Sequence, residues 1–99
     1  MSFVVQVRRA AELDMAQAQG WYEQQQAGLG AAFLSEVAAV ISRLAETPLI
    51  YAAVHREVRR AVLRRFPYLL WYRVTGNTVR ILACTQGSQN PATVLARFQ

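Results

Sequence analysis

The chain has 99 residues, of which 54% are apolar and 17% charged, and its formal net charge is +5. This length predicts a single domain over residues 1–99, and the composition excludes a disordered protein. No apolar run approaches the ~20 residues of a membrane span and no secretory signal opens the sequence, so we expect a soluble protein of a bacterial-type cytoplasm. One cysteine, Cys84, excludes an intrachain disulfide and a cysteine-cluster zinc site.

Positive charge is concentrated in the second half of the chain. All 11 basic residues are arginine; residues 1–54 carry a net charge of −2, whereas residues 55–99 carry +7. Codon usage in a GC-rich genome explains arginine without lysine, but it does not explain the uneven distribution. The asymmetry predicts a basic face that attracts an acidic protein or a nucleic acid.

The first elements are a strand and two helices. Ser2–Arg8 alternates apolar and polar side chains, which predicts a strand, and apolar residues then recur at helical spacing over 10–26 and 31–46. Gly28-Leu29-Gly30 separates the helices, and Thr47-Pro48 ends the second. Because the loop is short, we expect an antiparallel hairpin. Its predicted core-facing residues are Ala11, Met15, Ala18, Trp21, Tyr22, Phe33, Leu34, Val37, Ala38, Ile41, Leu44 and Ala45.

The period changes to two after a connector, Leu49–Arg56, that has no clear pattern. Glu57–Leu63 predicts a strand with Val58, Arg60 and Val62 on one face and Arg59, Ala61 and Leu63 on the other. Arg64-Arg65 is the predicted turn.

The next strand, Phe66–Val74, is apolar on both faces, which is typical of a central strand covered from two sides. Pro67 places its start at a bulge or an unpaired edge. Gly76-Asn77 predicts a tight turn into the last strand, Thr78–Thr85, through Val79, Ile81 and Ala83.

Asn90-Pro91 is an N-cap followed by proline at the first helical position, so a short terminal helix is expected. The element order is β-α-α-β-β-β: an N-terminal strand, a helical hairpin and a three-stranded antiparallel meander. We therefore predict an α+β domain with the hairpin packed on one face of the sheet.

An arginine series surrounds the second predicted strand. Alternate strand positions lie about 7 Å apart on one face, and guanidinium groups bind phosphate or carboxylate in a bidentate manner. The array therefore suits RNA, DNA or an acidic peptide, although a solvated face that prevents edge aggregation has the same composition. The series is Arg56, Arg59, Arg60, Arg64 and Arg65.

Few other residues indicate chemistry. His55 is the only histidine and has no paired carboxylate or nucleophile in the sequence, and Cys84 reads as an inert core thiol. Tyr68 and Tyr72 are expected in the core, although a phenol near the arginines could stack on a base. No phosphate loop, metal-ligand cluster or catalytic triad is present, so we expect no cofactor and no metal.

Several motifs lie in register over 4–98: Trp21-Tyr22-Glu23, Gly28-Leu29-Gly30, Phe33-Leu34, Pro48, Arg59-Arg60, Arg65-Phe66-Pro67-Tyr68 and Tyr72-Arg73-Val74. Together these motifs resemble the ParE/RelE superfamily of type II toxin–antitoxin toxins. The resemblance implies a cognate antitoxin whose acidic tail folds on the toxin, as a hetero-oligomer. It also implies antitoxin- or target-binding roles for the arginine series, Arg73 and Tyr68.

The resemblance implies two classes of target. ParE-like members poison DNA gyrase by binding, whereas RelE-like members cut mRNA on the ribosome, a role that would fall here on Arg60, Arg64 and Arg65. Gln86 and Gln89 stand where many relatives have histidine and arginine, and glutamine supplies neither a proton near neutral pH nor a charge. The sequence therefore favours a gyrase inhibitor. An mRNA endoribonuclease and a non-toxic antitoxin binder are the alternatives.

Overall fold

A computed structural model describes residues 2–98. Two strands of the sheet flank the helical hairpin in sequence, and short 3-10 turns follow the second and third helices. The elements confirm the α+β prediction. They are β1 (Val4–Val7), α1 (Arg9–Gln25), α2 (Leu29–Glu46), β2 (Ala53–His55), β3 (Val58–Val62), β4 (Tyr68–Thr75), β5 (Thr78–Gln86) and α3 (Pro91–Leu95).

The sheet has five strands in the order β1-β5-β4-β3-β2. Strands β2 to β5 are antiparallel, whereas β1 pairs in parallel with β5 and places Val4 opposite Thr78. Strand β2 lies where the sequence predicts only a connector, so that prediction is wrong for Ala53–His55. All three of its residues are exposed, so no alternation of apolar and polar side chains marks it.

The helical hairpin packs on one face of the sheet, here called the helix face; the opposite face is the outer face. Gly28 adopts φ 88° and the second helix begins at Leu29, two residues earlier than predicted. The Glu23 carboxylate accepts hydrogen bonds from the backbone N–H groups of Gly28 and Gly30, at 2.9 and 3.0 Å. A carboxylate at this position satisfies free N–H groups and complements the helix dipole.

Two predicted core positions of the hairpin are wrong. Ala38 is exposed and Val40 is buried, so the buried stripe of α2 is rotated about the helix axis relative to the predicted one. Trp21 is 54% exposed, whereas its neighbour Tyr22 packs with Phe33, at 5.5 Å between ring centroids. Phe66 and Tyr68 complete this aromatic cluster beneath the hairpin.

Strand β4 is covered on both faces, as predicted. Leu70 and Tyr72 belong to the core under the hairpin, whereas Trp71 belongs to a second core on the outer face. Pairing with β5 shifts between Trp71 and Tyr72, which face Ala83 and Ile81 respectively. This β-bulge sends Ala83 to the outer face, so the predicted alternation of the last strand fails there.

The turns on either side of β4 agree with the sequence. Gly76 adopts φ 59° in the two-residue loop between β4 and β5. Pro67 lies in the turn before β4, outside the ladder, and its carbonyl accepts a hydrogen bond from the Gly87 N–H at 2.8 Å. Proline is therefore tolerated here because no ladder donor is needed.

The terminal helix covers the outer face of the sheet. The Asn90 side chain accepts a hydrogen bond from the Ala92 N–H at 2.9 Å, which confirms the predicted N-cap. Val94 is buried and Phe98 packs beside the Trp71 ring. Asp14 of α1 joins the two ends of the chain, because its carboxylate accepts from the Cys84 N–H and pairs with Arg97 at 3.1 Å.

Close contact between the two helices depends on Gly30. A Cβ at this position would lie 2.7 Å from the Gln19 carbonyl oxygen of α1, whereas a Cβ at Gly20 would meet nothing within 4 Å. We expect Gly30→Ala to destabilise the fold by about 1–3 kcal/mol through overpacking. Gly20→Ala is the matched control, and it should stabilise α1 by roughly 0.5–1 kcal/mol. Urea denaturation measures both, and equal effects of the two substitutions would contradict the contact.

Candidate functional site

The arginine series is divided between the two faces of β3. The Arg59 guanidinium lies on the helix face, where it donates a hydrogen bond to the Tyr51 carbonyl at 2.5 Å. Arg60 lies on the outer face, 5.4 Å above the centroid of the Trp71 ring. The side-chain alternation of the strand itself separates these neighbours, so the series does not form one continuous face.

Arg64 and Arg65 lie together in the turn between β3 and β4. Their backbone N–H groups donate to the Glu36 carboxylate of α2, with the Arg65 bonds at 3.1 Å. Hydrogen bonds to an ionised acceptor are about twice as strong as neutral ones. Glu36 therefore fixes the turn on α2. Both arginines are exposed, and Arg65 stacks on the Phe66 ring at 5.6 Å.

A groove of about 470 Å³ runs between α2 and this turn. We call it the α2 groove. Its apolar lining combines small side chains with Val62, which is 55% exposed, and its polar lining carries three arginines and one carboxylate. Small residues leave room for the apolar side chains of a docking segment, and the arginines can pair with carboxylates. The lining residues are Ala32, Ser35, Glu36, Ala39, Val40, Arg43, Val62, Arg64 and Arg65.

The other predicted site residues lie elsewhere. Arg56 follows β2 with φ 53°, Arg73 faces the outer side of β4, and Tyr68 is buried in the aromatic cluster. Glu36 and Arg43 also line the α2 groove and were not predicted from the sequence. The spacing of Arg43, seven residues after Glu36, is the signal that places both on the same face of α2.

A second cavity, of about 450 Å³, lies between α1 and the end of β5. Gln86 and Gln89 both line it, together with the half-exposed Trp21, the edge of Tyr68 and the ion pair of Asp14 with Arg97. The structure therefore brings the two glutamines together at one cavity. Their amides can donate and accept hydrogen bonds there, but they carry no charge.

The fold raises the pKa of three groups in the described chain. Burial raises the pKa of Tyr72 to about 12 even though Arg59 lowers it, and burial, aided by the negative charge of Asp14, raises that of Cys84 to about 12. Burial, followed by the charge of Tyr68, also raises the pKa of Tyr22. All three groups stay protonated near neutral pH, and Cys84 is the inert core thiol expected from the sequence.

Residues 2–98 contain no group of three His, Cys, Asp or Glu side chains that could hold a metal ion. Over the same residues, no helix has the length and apolar character that a membrane crossing requires. His55 is exposed at the end of β2, beside Arg56 and Arg73.

Solved structures share this fold. The toxin–antitoxin system described as chromosomal ParDE from P. aeruginosa superposes with a TM-score of 0.76 at 18% identity, over 86% of this chain and 96% of that chain. A mutant of the E. coli toxin RelE in the free state gives a TM-score of 0.70 at 15% identity, over 98% and 94%. This chain therefore shares its fold with these two solved proteins.

The family of this chain is identified by its sequence. Residues 5–91 match the family model described as ParE toxin of type II toxin–antitoxin system, parDE, and the chain belongs to this family. Toxin ParE2 of Mycobacterium tuberculosis (strain CDC 1551 / Oshkosh) is 36% identical over 62 residues, which are 63% of this chain. The match spans 59% of the length of that relative.

The raised pKa values of Cys84 and Tyr72 predict that the fold is sensitive to alkali. Their ordinary values are 9.0 and 10.0, so above pH 9 the unfolded chain releases protons that the folded chain retains. The free energy of folding that these two protonated groups contribute is fully present below pH 9. It is lost as the pH rises towards 12, at up to about 1.4 kcal/mol per pH unit for each group. Urea denaturation between pH 8 and 11 measures this slope. Cys84→Ala and Tyr72→Phe should each flatten it, and a slope that neither variant changes would contradict the assignment.

Proposed function

We propose that this chain is a toxin neutralised by a cognate antitoxin, that an acidic amphipathic segment of the antitoxin docks in the α2 groove, and that the toxin inhibits DNA gyrase by binding. Membership of the ParE family supports a toxin of a type II module. The solved relatives include a ParDE system and the complex RelBE2 from Mycobacterium tuberculosis, described as toxin–antitoxin, which supports an antitoxin partner.

The lining of the α2 groove supports the site proposed for the antitoxin. A helix or strand that brings alternating apolar and acidic side chains would place the apolar ones on Ala39, Val40 and Val62. Its carboxylates would reach the Arg43, Arg64 and Arg65 guanidinium groups at the rim. Charged hydrogen bonds of this kind combine affinity with a fixed register of the docked segment.

The observation that carries the choice of target is the pair Gln86 and Gln89 on the second cavity. Cleavage of RNA needs an acid and a base that exchange protons near neutral pH and a cation that stabilises the charged transition state. Two neutral amides supply none of these functions. Inhibition by binding needs only a complementary surface, so the gyrase interpretation agrees better with this cavity.

A ribosome-dependent mRNA endoribonuclease is the second candidate. Arg60 supports it, since its guanidinium is held over the Trp71 ring on the outer face and is half-buried there. Arg64 and Arg65 are exposed at the turn and could contact phosphate. The third candidate is a chain that binds the antitoxin without being toxic. Such a chain would neither stop growth nor inhibit gyrase.

The α2 groove can be tested with a single added charge. We expect Ala39→Glu to weaken binding of the antitoxin encoded beside this gene by at least tenfold, because the carboxylate enters the groove and repels an acidic segment. Ala16→Glu, at an exposed position of α1, is the matched control and should bind normally. Calorimetric titration measures both affinities. Equal affinities of the two variants for the antitoxin would contradict the proposal that the antitoxin binds in this groove.

The target can be tested with purified, antitoxin-free toxin, DNA gyrase, supercoiled plasmid and ATP. We expect linear plasmid to accumulate with toxin dose after a detergent quench, and to be absent when gyrase is omitted. A known gyrase poison serves as the positive control. An unchanged plasmid would contradict gyrase inhibition. Cleaved messages in a translating extract, lost in Arg60→Ala, would then identify the endoribonuclease, and intact messages the non-toxic binder.

A further inference from the structure

The outer face of the sheet carries a row of polar side chains near the turn between β4 and β5. Arg73 of β4 pairs with Arg80 of β5, and Arg80 pairs with Gln6 of β1, so the three side chains point to the same face. Directly opposed side chains on neighbouring strands lie about 4.5–5.5 Å apart at Cβ. The two arginine side chains therefore start side by side on the outer face.

The charges of this pair are not compensated within the described chain. Like charges placed directly opposite each other destabilise a sheet. The ion pair found among residues 2–98 joins Arg97 to Asp14, and Arg80 donates one hydrogen bond to the neutral Gln6 amide at 3.1 Å. A guanidinium has five N–H donors, so most of the donors of Arg80 remain available for a ligand.

A hollow of about 270 Å³ lies over this row. We call it the β4–β5 hollow. Gln6, Arg73, Thr75, Thr78 and Arg80 line it, so it offers two guanidinium groups and two hydroxyls and holds no carboxylate. This is the donor set that an oxyanion with several acceptor oxygens requires.

We propose that the β4–β5 hollow binds the phosphodiester backbone of a nucleic acid. A phosphate can accept hydrogen bonds from both guanidinium groups at once. Its negative charge then offsets the repulsion between the two positive charges. The lining contains no apolar side chain that would anchor a peptide, in contrast to the α2 groove. Arg73 also lines the adjacent hollow that carries His55 and Arg56, so arginine side chains continue from one hollow into the next.

This site is distinct from the α2 groove and does not depend on gyrase being the target. The α2 groove adjoins the turn before β4, and the β4–β5 hollow adjoins the turn after it, so the two lie at opposite ends of β4. Antitoxin and nucleic acid therefore have separate places on the chain. Binding at one can be measured while the other is left intact.

The test is fluorescence anisotropy of antitoxin-free toxin with a labelled 20-base-pair DNA duplex and with a labelled 20-nucleotide single-stranded RNA. We expect Arg73→Gln and Arg80→Gln each to weaken binding by about tenfold and to reduce the slope of log affinity against log salt by about one. Arg9→Gln removes the same charge from an exposed position at the start of α1. It should change affinity less than twofold. Thermal unfolding of each variant confirms that the fold is retained.

A loss seen with only one of the two probes assigns the β4–β5 hollow to DNA or to RNA. If Arg73→Gln and Arg80→Gln match Arg9→Gln with both probes, the proposal is overturned, because binding then reflects net charge alone. It is also overturned if the two variants lose binding of a labelled 20-residue polyglutamate peptide and keep that of both nucleic acids. Either result leaves the gyrase and antitoxin experiments unaffected.

Discussion

Strand β4 is apolar on both faces, and the burial of both faces is the constraint on which the rest of the structure depends. The helical hairpin covers Leu70 and Tyr72, and the terminal helix with the turn that follows it covers Trp71. Neither layer alone would remove the strand from water. The bulge in β5 serves the same purpose, since it turns Ala83 towards the outer core while Ile81 stays in the inner one.

Half of the few acidic residues are engaged by the backbone. Of the six, Glu23 accepts from the N-terminus of α2, Glu36 from the turn before β4, and Asp14 from β5. These carboxylates hold loops and helix ends in place, and among residues 2–98 only Asp14 also forms an ion pair, with Arg97. The unbalanced charge seen in the sequence therefore becomes an accessible feature of the folded surface, both at the α2 groove and at the β4–β5 hollow.

Most of the fold could be predicted from the sequence because each long element has a clear period and chemical signals at its ends. The hairpin, the strong strand β4, the Gly76 turn and the Asn90 cap all follow from local rules. Strand β2 could not be predicted, since three exposed residues carry no pattern and pair only because β3 presents an edge to them. The β-bulge at Leu82 could not be predicted from the sequence either, because it reflects packing between two layers that are distant in sequence.

Arg64 and Arg65 are the predicted site residues that line the α2 groove, whereas the other predicted site residues lie elsewhere. Neighbouring arginines such as Arg59 and Arg60 point to opposite faces of the sheet once their segment is a strand. Their separation could therefore be predicted from the alternation of side chains in the sequence. The meeting of Glu36 with Arg64 and Arg65 is a tertiary contact across 28 and 29 residues, which no local pattern reports. Membership of the ParE family defines the biological class, and the α2 groove and the β4–β5 hollow are separate surfaces at opposite ends of β4.

The parallel pairing of β1 with β5 has a consequence for how the chain matures. Val4 pairs with Thr78, so β1 can join the sheet only after β5 has been synthesised. Contacts of such sequence separation form late because a long loop must close before they contribute. Until β5 has emerged, β1 has no strand to pair with and the hairpin has no complete sheet beneath it. A growing chain therefore cannot complete the sheet, or the β4–β5 hollow that Gln6 and Arg80 line, before β5 has been synthesised.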